Sequence, residues 1–197
     1  MNKKMTSYKL TIVALAAVMN ILGGHLALAL KLPIYLDSIG TVLIGAILGP
    51  VYGIIPGLLS GLITGVTGDI YSIYFMPVQL VTGIMTGILF RTAWVKGKKM
   101  PLGVLAITLP GTFVSASISA ILFGGVTSSG SSMIVFVLRK LGVSMTASVF
   151  AVQIITDYAD RFLAVAIVAV ILISVPREMI VNLRGGKENG SLQQDNE

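Results

Sequence analysis

Apolar runs separated by short polar breaks dominate the chain. The runs are continuous, with none of the alternation of a half-buried strand, so each predicts a helix. Helices of roughly 20 apolar residues are long enough to cross a bilayer. The pattern therefore predicts an all-α membrane protein with six transmembrane helices, over residues 8–27, 39–48, 51–67, 76–90, 102–123 and 153–175.

The breaks predict how these spans are joined. Gly49-Pro50 forms a tight turn after a short second span. A Gly/Ser-rich segment at 124–132 follows the fifth span, and 134–150 predicts a half-buried helix on the outer side. We expect one domain over 1–176 and a polar, disordered cytoplasmic tail over 177–197. The N-terminus also resembles a signal peptide, with "ALA" at 27–29, but we expect it to be retained as the first span.

Composition supports the membrane assignment and narrows the chemistry. Hydrophobic residues make up 55% of the 197 residues and charged residues only 11%, against about 25% charged in soluble domains. The mean hydropathy is +0.92. There is no Cys and one His, so we expect neither a disulfide framework nor a metal site.

The basic residues are distributed unevenly between the two predicted sides. The excess of Lys and Arg marks the cytoplasmic side. Six spans place both termini on the side with ten of the fourteen basic residues, so we expect cytoplasmic termini and no nucleic-acid partner. The four on the outer side are Lys31, Arg139, Lys140 and Arg161.

Glycines recur at every fourth residue through spans two and three. Such spacing makes a flat groove on which another helix can approach closely. The groove can serve packing within the chain, contact with another membrane subunit, or both. The series comprises Gly45, Gly49, Gly53, Gly57, Gly61 and Gly65.

Three ionisable residues stand at the head of span six. Helical spacing puts Gln153, Asp157 and Asp160 on one face and lets Asp157 pair with Arg161. Charge at membrane depth is expensive, so it faces a protein interior or a wet cavity. Three interpretations stay open: anchoring at the headgroups, an internal ion pair, or a polar ligand cavity.

Other polar residues converge on the same level and favour the cavity. The breaks contribute Lys31, Tyr35, Asp37, Asp69 and Tyr74, and Gln79 lies one turn into span four. The predicted ligand-binding set is Lys31, Asp69, Tyr74, Gln79, Arg139, Gln153, Asp157 and Arg161.

Motifs of several enzyme classes are absent from the sequence. There is no G-x-x-x-x-G-K-[ST], no H-E-x-x-H and no G-x-S-x-G. We therefore predict no catalytic residues and no bound cofactor. A polar cavity on a small six-span chain suggests a binding subunit that takes its energy from a partner.

The chain resembles the substrate-binding S components of energy-coupling factor (ECF) vitamin transporters over roughly residues 8–176. The resemblance rests on "LTIVALAAVMNIL" in span one and on "YLDSIGTVLIGAILGPVYGIIPGLLSGLITG". It implies a six-helix bundle in a bacterial plasma membrane, with an outward vitamin site. It also implies a membrane coupling subunit and two cytoplasmic ATPases that use ATP, and toppling of the bundle to deliver the vitamin.

The resemblance implies that the coupling subunit contacts small residues on span one. Position 18 is Val, so the small face is carried by Ala14 and Ala17, and the glycine groove offers a second sliding surface. The predicted interface set is Ala14, Ala17, Gly45, Gly49, Gly57 and Gly61.

The resemblance does not select a single vitamin. The "YLDSIG…GPVYG" region resembles carriers of pantothenate, pyridoxine and hydroxymethylpyrimidine, with cobalamin carriers also similar. The outer cations favour pantothenate, because it carries a carboxylate. The neutral polar groups suit an uncharged ring, and the two acids suit a ring nitrogen or hydroxyls. The rival class is a non-transport membrane protein, either a membrane enzyme or a structural subunit.

Overall fold

A computed structural model describes residues 7–95 and 97–184, and these are helical throughout apart from short connections. The helices are α1 (Ser7–Ala29), α2 (Ile39–Leu48), α3 (Pro50–Thr67), α4 (Tyr71–Tyr74), α5 (Met76–Leu89), α6 (Met100–Phe123), α7 (Ser131–Lys140), α8 (Met145–Ser174) and α9 (Arg177–Arg184). Two 3₁₀ turns, Ala93–Val95 and Gly97–Lys99, precede α6. The all-helical prediction is confirmed.

Length and composition mark three helices as able to cross a membrane. They are α1, α3 and the stretch Gly97–Phe123, and a fourth span arises if α8 and α9 are counted together across a 109° bend. The apolar helices α2 and α5 have only 10 and 14 residues. At 1.5 Å per residue they cover about 15 and 21 Å, less than the ~30 Å of a hydrocarbon core.

Two predicted segments differ from the structure. The single half-buried helix expected over 134–150 is divided between two helices, α7 and α8. Gly142 (φ 90°) follows the end of α7, and Ser144 caps α8 by accepting a hydrogen bond from the Ala147 N–H. Part of the polar tail expected from 177 is helical, since Arg177–Arg184 forms α9, which packs against α2. Residues 185–197 lie outside the described part of the chain.

The glycine groove is filled by the chain itself. A Cβ added to Gly53 would lie 2.8 Å from Gly45 Cα and 2.9 Å from Gly83 O, so α2, α3 and α5 meet backbone to backbone. At Gly57 it would lie 2.6 Å from Gln79 Cβ. Small residues permit this approach because no side chain separates the helix axes. The packing interpretation of the groove is therefore confirmed.

Because of this packing, most residues of the predicted coupling interface are not on the surface. Gly45, Gly49, Gly57 and Gly61 are buried within the chain, and Ala17 is 3% exposed. Ala14 is the member of the set that lies on the surface. Its neighbours on the exposed face of α1 are Leu10, Leu15, Val18 and Leu22.

The glycine contacts predict a steric test. Gly83→Ala places a methyl group 2.7 Å from the Gly53 backbone, and rigid backbone cannot move aside. We expect a loss of about 1–3 kcal/mol in unfolding free energy, measured by thermal melting in detergent. Gly111→Ala is the control, because its nearest atoms would lie 3.7 Å away. An equal effect of both substitutions would contradict this account of the groove.

Candidate functional site

A polar cavity lies among α5, α6, α8 and the segment 30–38 that joins α1 to α2. We call this end of the bundle the cavity end. The cavity volume is about 40 Å³, room for a few water molecules. Its lining consists of Tyr35, Asp37, Phe75, Val78, Gln79, Ser115, Gln153, Asp157, Asp160 and Arg161.

A buried ion pair holds segment 30–38 onto α8. Arg161 pairs with the neighbouring Asp160, and both residues are less than 10% exposed. Arg161 Nη1 also donates to Ser38 Oγ at 2.7 Å, while the Leu36 N–H donates to Asp160 Oδ1 at 2.7 Å. Leu36 has a left-handed backbone (φ 54°), a conformation that costs a non-glycine residue free energy and persists only where surrounding contacts hold it.

The predicted pairing of Asp157 with Arg161 is wrong. Asp157 accepts hydrogen bonds from Thr112 Oγ1 at 2.9 Å and Ser115 Oγ at 2.8 Å, both on α6. Arg161 turns instead toward Asp160 and Ser38. The i,i+4 spacing considers only partners within one helix. In the structure, Asp157 has hydrogen-bond partners on α6, and Arg161 has one on segment 30–38.

Arg161 keeps donors for a further contact. Among the described residues, only its Nη1 has hydrogen-bond partners. A guanidinium has five N–H donors, and the side chain lines the cavity. Nε and Nη2 are therefore available to a ligand or to water.

A second network ties Gln79 to the start of α2. Gln79 Nε2 donates to the Asp37 carbonyl at 3.2 Å, and its Oε1 accepts from Thr41 Oγ1 at 3.1 Å. Asn20 Nδ2 donates to the same Thr41 hydroxyl at 2.9 Å, and its Oδ1 accepts from the Gly40 N–H at 2.7 Å. Asn20 thus satisfies an otherwise unpaired N–H at the start of α2 and acts between helices.

Aromatic rings and the Gly/Ser segment close the cavity end. Phe123 packs edge-on against Tyr71 and Tyr74, with ring centroids 4.8 and 5.3 Å apart. The Tyr35 hydroxyl lies 3.2 Å from Thr127 Oγ1, and the Gly130 N–H donates to Leu32 O at 3.1 Å. Segments 30–38 and 124–130 therefore form one cover over this end of the bundle.

The electrostatics of the cavity are dominated by carboxyl groups. Asp37, Asp157 and Asp160 face one guanidinium, that of Arg161. Asp37 lies in the connecting segment, where burial raises the pKa of its carboxyl to about 6 despite the opposing effect of Arg161. Burial also raises the pKa of the Tyr35 phenol, which keeps its proton. No three His, Asp or Glu side chains within residues 7–95 and 97–184 are placed to hold a metal ion.

Four of the eight residues in the predicted ligand set lie at the cavity, and the other four lie elsewhere. Gln79, Gln153, Asp157 and Arg161 come together at the cavity. Lys31 and Asp69 line a separate, open surface cavity beside Ser128 and Gly130. Tyr74 is 48% exposed, and exposed Arg139 contacts the Met145 sulfur at 3.7 Å.

Sequence reasoning missed the contribution of α6. Its buried hydroxyls recur at steps of four, three and four, a polar stripe on an otherwise apolar helix. That spacing was a readable signal for a face directed at another polar element. The stripe comprises Thr108, Thr112, Ser115 and Ser119.

Comparison with known proteins gives no neighbour: no family model, no curated protein and no solved structure matches this chain.

The ion pair predicts a stability difference between two acids at the cavity end. Asp160→Asn removes the partner of a buried guanidinium, which typically costs about 3–5 kcal/mol. Asp69→Asn is the matched control, because within the described part of the chain its carboxylate accepts a single hydrogen bond, from the Ser72 hydroxyl at 3.0 Å. We expect it to cost about 1 kcal/mol or less. Denaturation in detergent measures both, and similar losses would contradict the assigned role of the pair.

The raised pKa of Asp37 predicts a pH dependence with a definite sign. The carboxyl is neutral in the folded protein below about pH 6 but ionises near 3.8 when unfolded, so its contribution to stability is lost as pH rises through about 6. Asp37→Asn keeps a neutral group at all pH values. We expect the melting temperature of this variant, relative to wild type, to rise between about pH 5 and pH 7. A constant difference would show that Asp37 is ionised throughout.

Proposed function

We propose that the chain is the substrate-binding S component of an ECF-type importer in a bacterial plasma membrane. The cavity carries this proposal: it lies at one end of an apolar helix bundle and is lined by three carboxyls, two amides and a guanidinium. The sequence resemblance to vitamin-binding S components and the absence of a P-loop support the same role. ATP is then used by two partner ATPases and transmitted by a membrane coupling subunit.

In this proposal the short helices α2 and α5 complete six spans with cytoplasmic termini. Seven of the ten residues of α2 are buried, so the helix is shielded from lipid by its neighbours. A short helix is tolerated at membrane depth where protein surrounds it. The Lys and Arg excess at the end with α9 supports the orientation.

The coupling subunit would meet α1 on its exposed face. Ala14 lies there between exposed Leu10 and Val18. The buried glycines support this contact indirectly, because they hold α2 and α3 tightly behind α1. Toppling of the whole bundle, which the family resemblance implies, would need such a firmly packed unit.

The lining supports a ligand different from the one that the sequence favoured. Pantothenate was preferred because four cations were expected near the site, but Arg161 is the one cation among the described residues that lines the cavity. The three carboxyl groups of the lining would repel the carboxylate of pantothenate. We therefore favour a neutral or cationic vitamin with hydroxyl donors and a ring nitrogen that donates when it is protonated, of the pyridoxine or hydroxymethylpyrimidine class.

Entry of such a ligand requires the cover to open. A vitamin does not fit into about 40 Å³, and a ligand the size of cobalamin would demand the largest rearrangement. Segments 30–38 and 124–130 meet through two direct polar contacts, Tyr35–Thr127 and Gly130–Leu32.

The proposal predicts binding without ATP hydrolysis. Isothermal titration of the purified chain with pyridoxine, hydroxymethylpyrimidine, pantothenate and cobalamin should give one tight ligand, and no ATPase activity. Asp157→Asn should weaken that ligand by about 10- to 100-fold, since a charge-assisted hydrogen bond contributes about 1.5–3 kcal/mol.

Asp69→Asn is the control for this titration. It makes the same chemical change at the same end of the bundle, but Asp69 does not line the cavity. Binding should therefore stay within about twofold of wild type. Absence of binding by all four compounds would favour the non-transport alternative, and equal losses in both variants would remove the cavity from the binding role.

A further inference from the structure

A second cavity lies at the opposite end of the bundle and is strongly basic. Its volume is about 230 Å³. Lys9 from α1, Arg91 after α5 and Arg184 from α9 line it, together with Tyr52, Leu48 and Leu183. Among the residues that the structure describes, the lining contains three cationic side chains and no carboxylate, the reverse of the cavity described above.

One of the three cations, Arg184, already has hydrogen-bond acceptors within the protein. Arg184 Nε donates to Ile47 O at 2.9 Å and Nη2 donates to Ala46 O at 3.2 Å. These carbonyls belong to the last turn of α2, whose partial negative charge is about half an elementary charge. Arg184 alone offsets that partial charge. The positive charges of Lys9 and Arg91 are therefore not balanced by the end of α2.

Lys9 is the residue that most needs a counterion. It is only 8% exposed, yet it makes no ion pair or hydrogen bond with any of the described residues. Burial of an ammonium group without a partner is costly. An anion in the adjoining cavity would remove that cost.

The start of α3 adds unpaired donors at the same place. Pro50 is the first residue of α3, and the earliest backbone bond there runs from the Gly53 N–H to Gly49 O at 2.9 Å. The Val51 and Tyr52 N–H groups precede it and have no carbonyl one turn back within α3. Gly49 (φ 92°) has no side chain, and the Arg91 guanidinium rests against it. Helix N-termini favour anions for this reason.

We propose that this cavity binds the phosphate group of a phosphate ester, held by Lys9, Arg91 and the start of α3. Arg and Lys are the residues that bind phosphate oxygens through charge-assisted bonds. Basic pockets between membrane helices are typical sites for the headgroups of anionic phospholipids. Val51, the neighbour of the lining residue Tyr52, is 72% exposed, so an acyl chain can lie against the outside of the bundle there while the phosphate occupies the cavity.

The test uses the full chain in detergent and native mass spectrometry. Phosphatidylglycerol and phosphatidylcholine with matched acyl chains are titrated separately, and inorganic phosphate is titrated in a third arm. We expect phosphatidylglycerol to bind at least 10-fold more tightly than phosphatidylcholine, and Lys9→Gln with Arg91→Gln to abolish this preference. If inorganic phosphate displaces the lipid at similar occupancy, the site takes a soluble phosphate ester, which also supports the proposal.

Matched controls distinguish binding in this cavity from attraction of lipid to the general positive charge of the surface. Lys98→Gln with Lys99→Gln removes the same charge from the same end, outside the cavity, and should preserve the preference. Lys9→Met removes only the buried cation, so its melting temperature without lipid should equal or exceed that of wild type, with no further rise on adding phosphatidylglycerol. Equal binding of both lipids by wild type, or an equal loss in the Lys98/Lys99 control, would overturn the proposal.

Discussion

The buried pairing of Asp160 with Arg161 is the interaction on which the cavity end depends. Two adjacent residues of α8 bring opposite charges into an apolar bundle, and such a pair is tolerated only when further hydrogen bonds satisfy both partners. The Leu36 N–H and the Ser38 hydroxyl supply those bonds. The same bonds hold Leu36 in a left-handed conformation and place Tyr35 and Asp37 over the cavity. Stability and site geometry therefore share one set of contacts.

The glycine contacts make this arrangement possible by bringing the helices close together. Because Gly53, Gly45 and Gly83 let three helix backbones touch, Gln79 on α5 reaches both Thr41 and the Asp37 carbonyl. A groove that looked suited to a partner subunit is thus occupied by the chain's own helix. The two ends of the bundle then differ in charge, with carboxyls around one cavity and Lys and Arg around the other.

Helical periodicity was sufficient to predict one face of the site. Gln153, Asp157 and Asp160 share a face of α8, and Gln79 joins them as predicted. Partner choice could not be predicted, because Arg161 reaches Ser38, 123 residues away in sequence. The position of Lys31 also depended on tertiary packing, since a connection between helices fixes the level of a residue but not its direction. Arg139 lies on α7, and packing of that helix leaves its side chain exposed. Helix α9 was missed because its polar composition resembles that of a tail.

Hydrogen exchange across segment 30–38 tests the central claim most directly. The Leu36 amide is held by Asp160, whereas the nearby Gly40 amide is held by Asn20. The account predicts slow exchange at both amides in the wild type. In Asp160→Ala, which leaves no acceptor for this amide, exchange at Leu36 should be at least about 10-fold faster, as expected for losing a bond worth about 1.5 kcal/mol or more, with Gly40 unchanged. Unaltered exchange at Leu36 in a folded Asp160→Ala variant would contradict the claim that Asp160 holds the cover of the cavity.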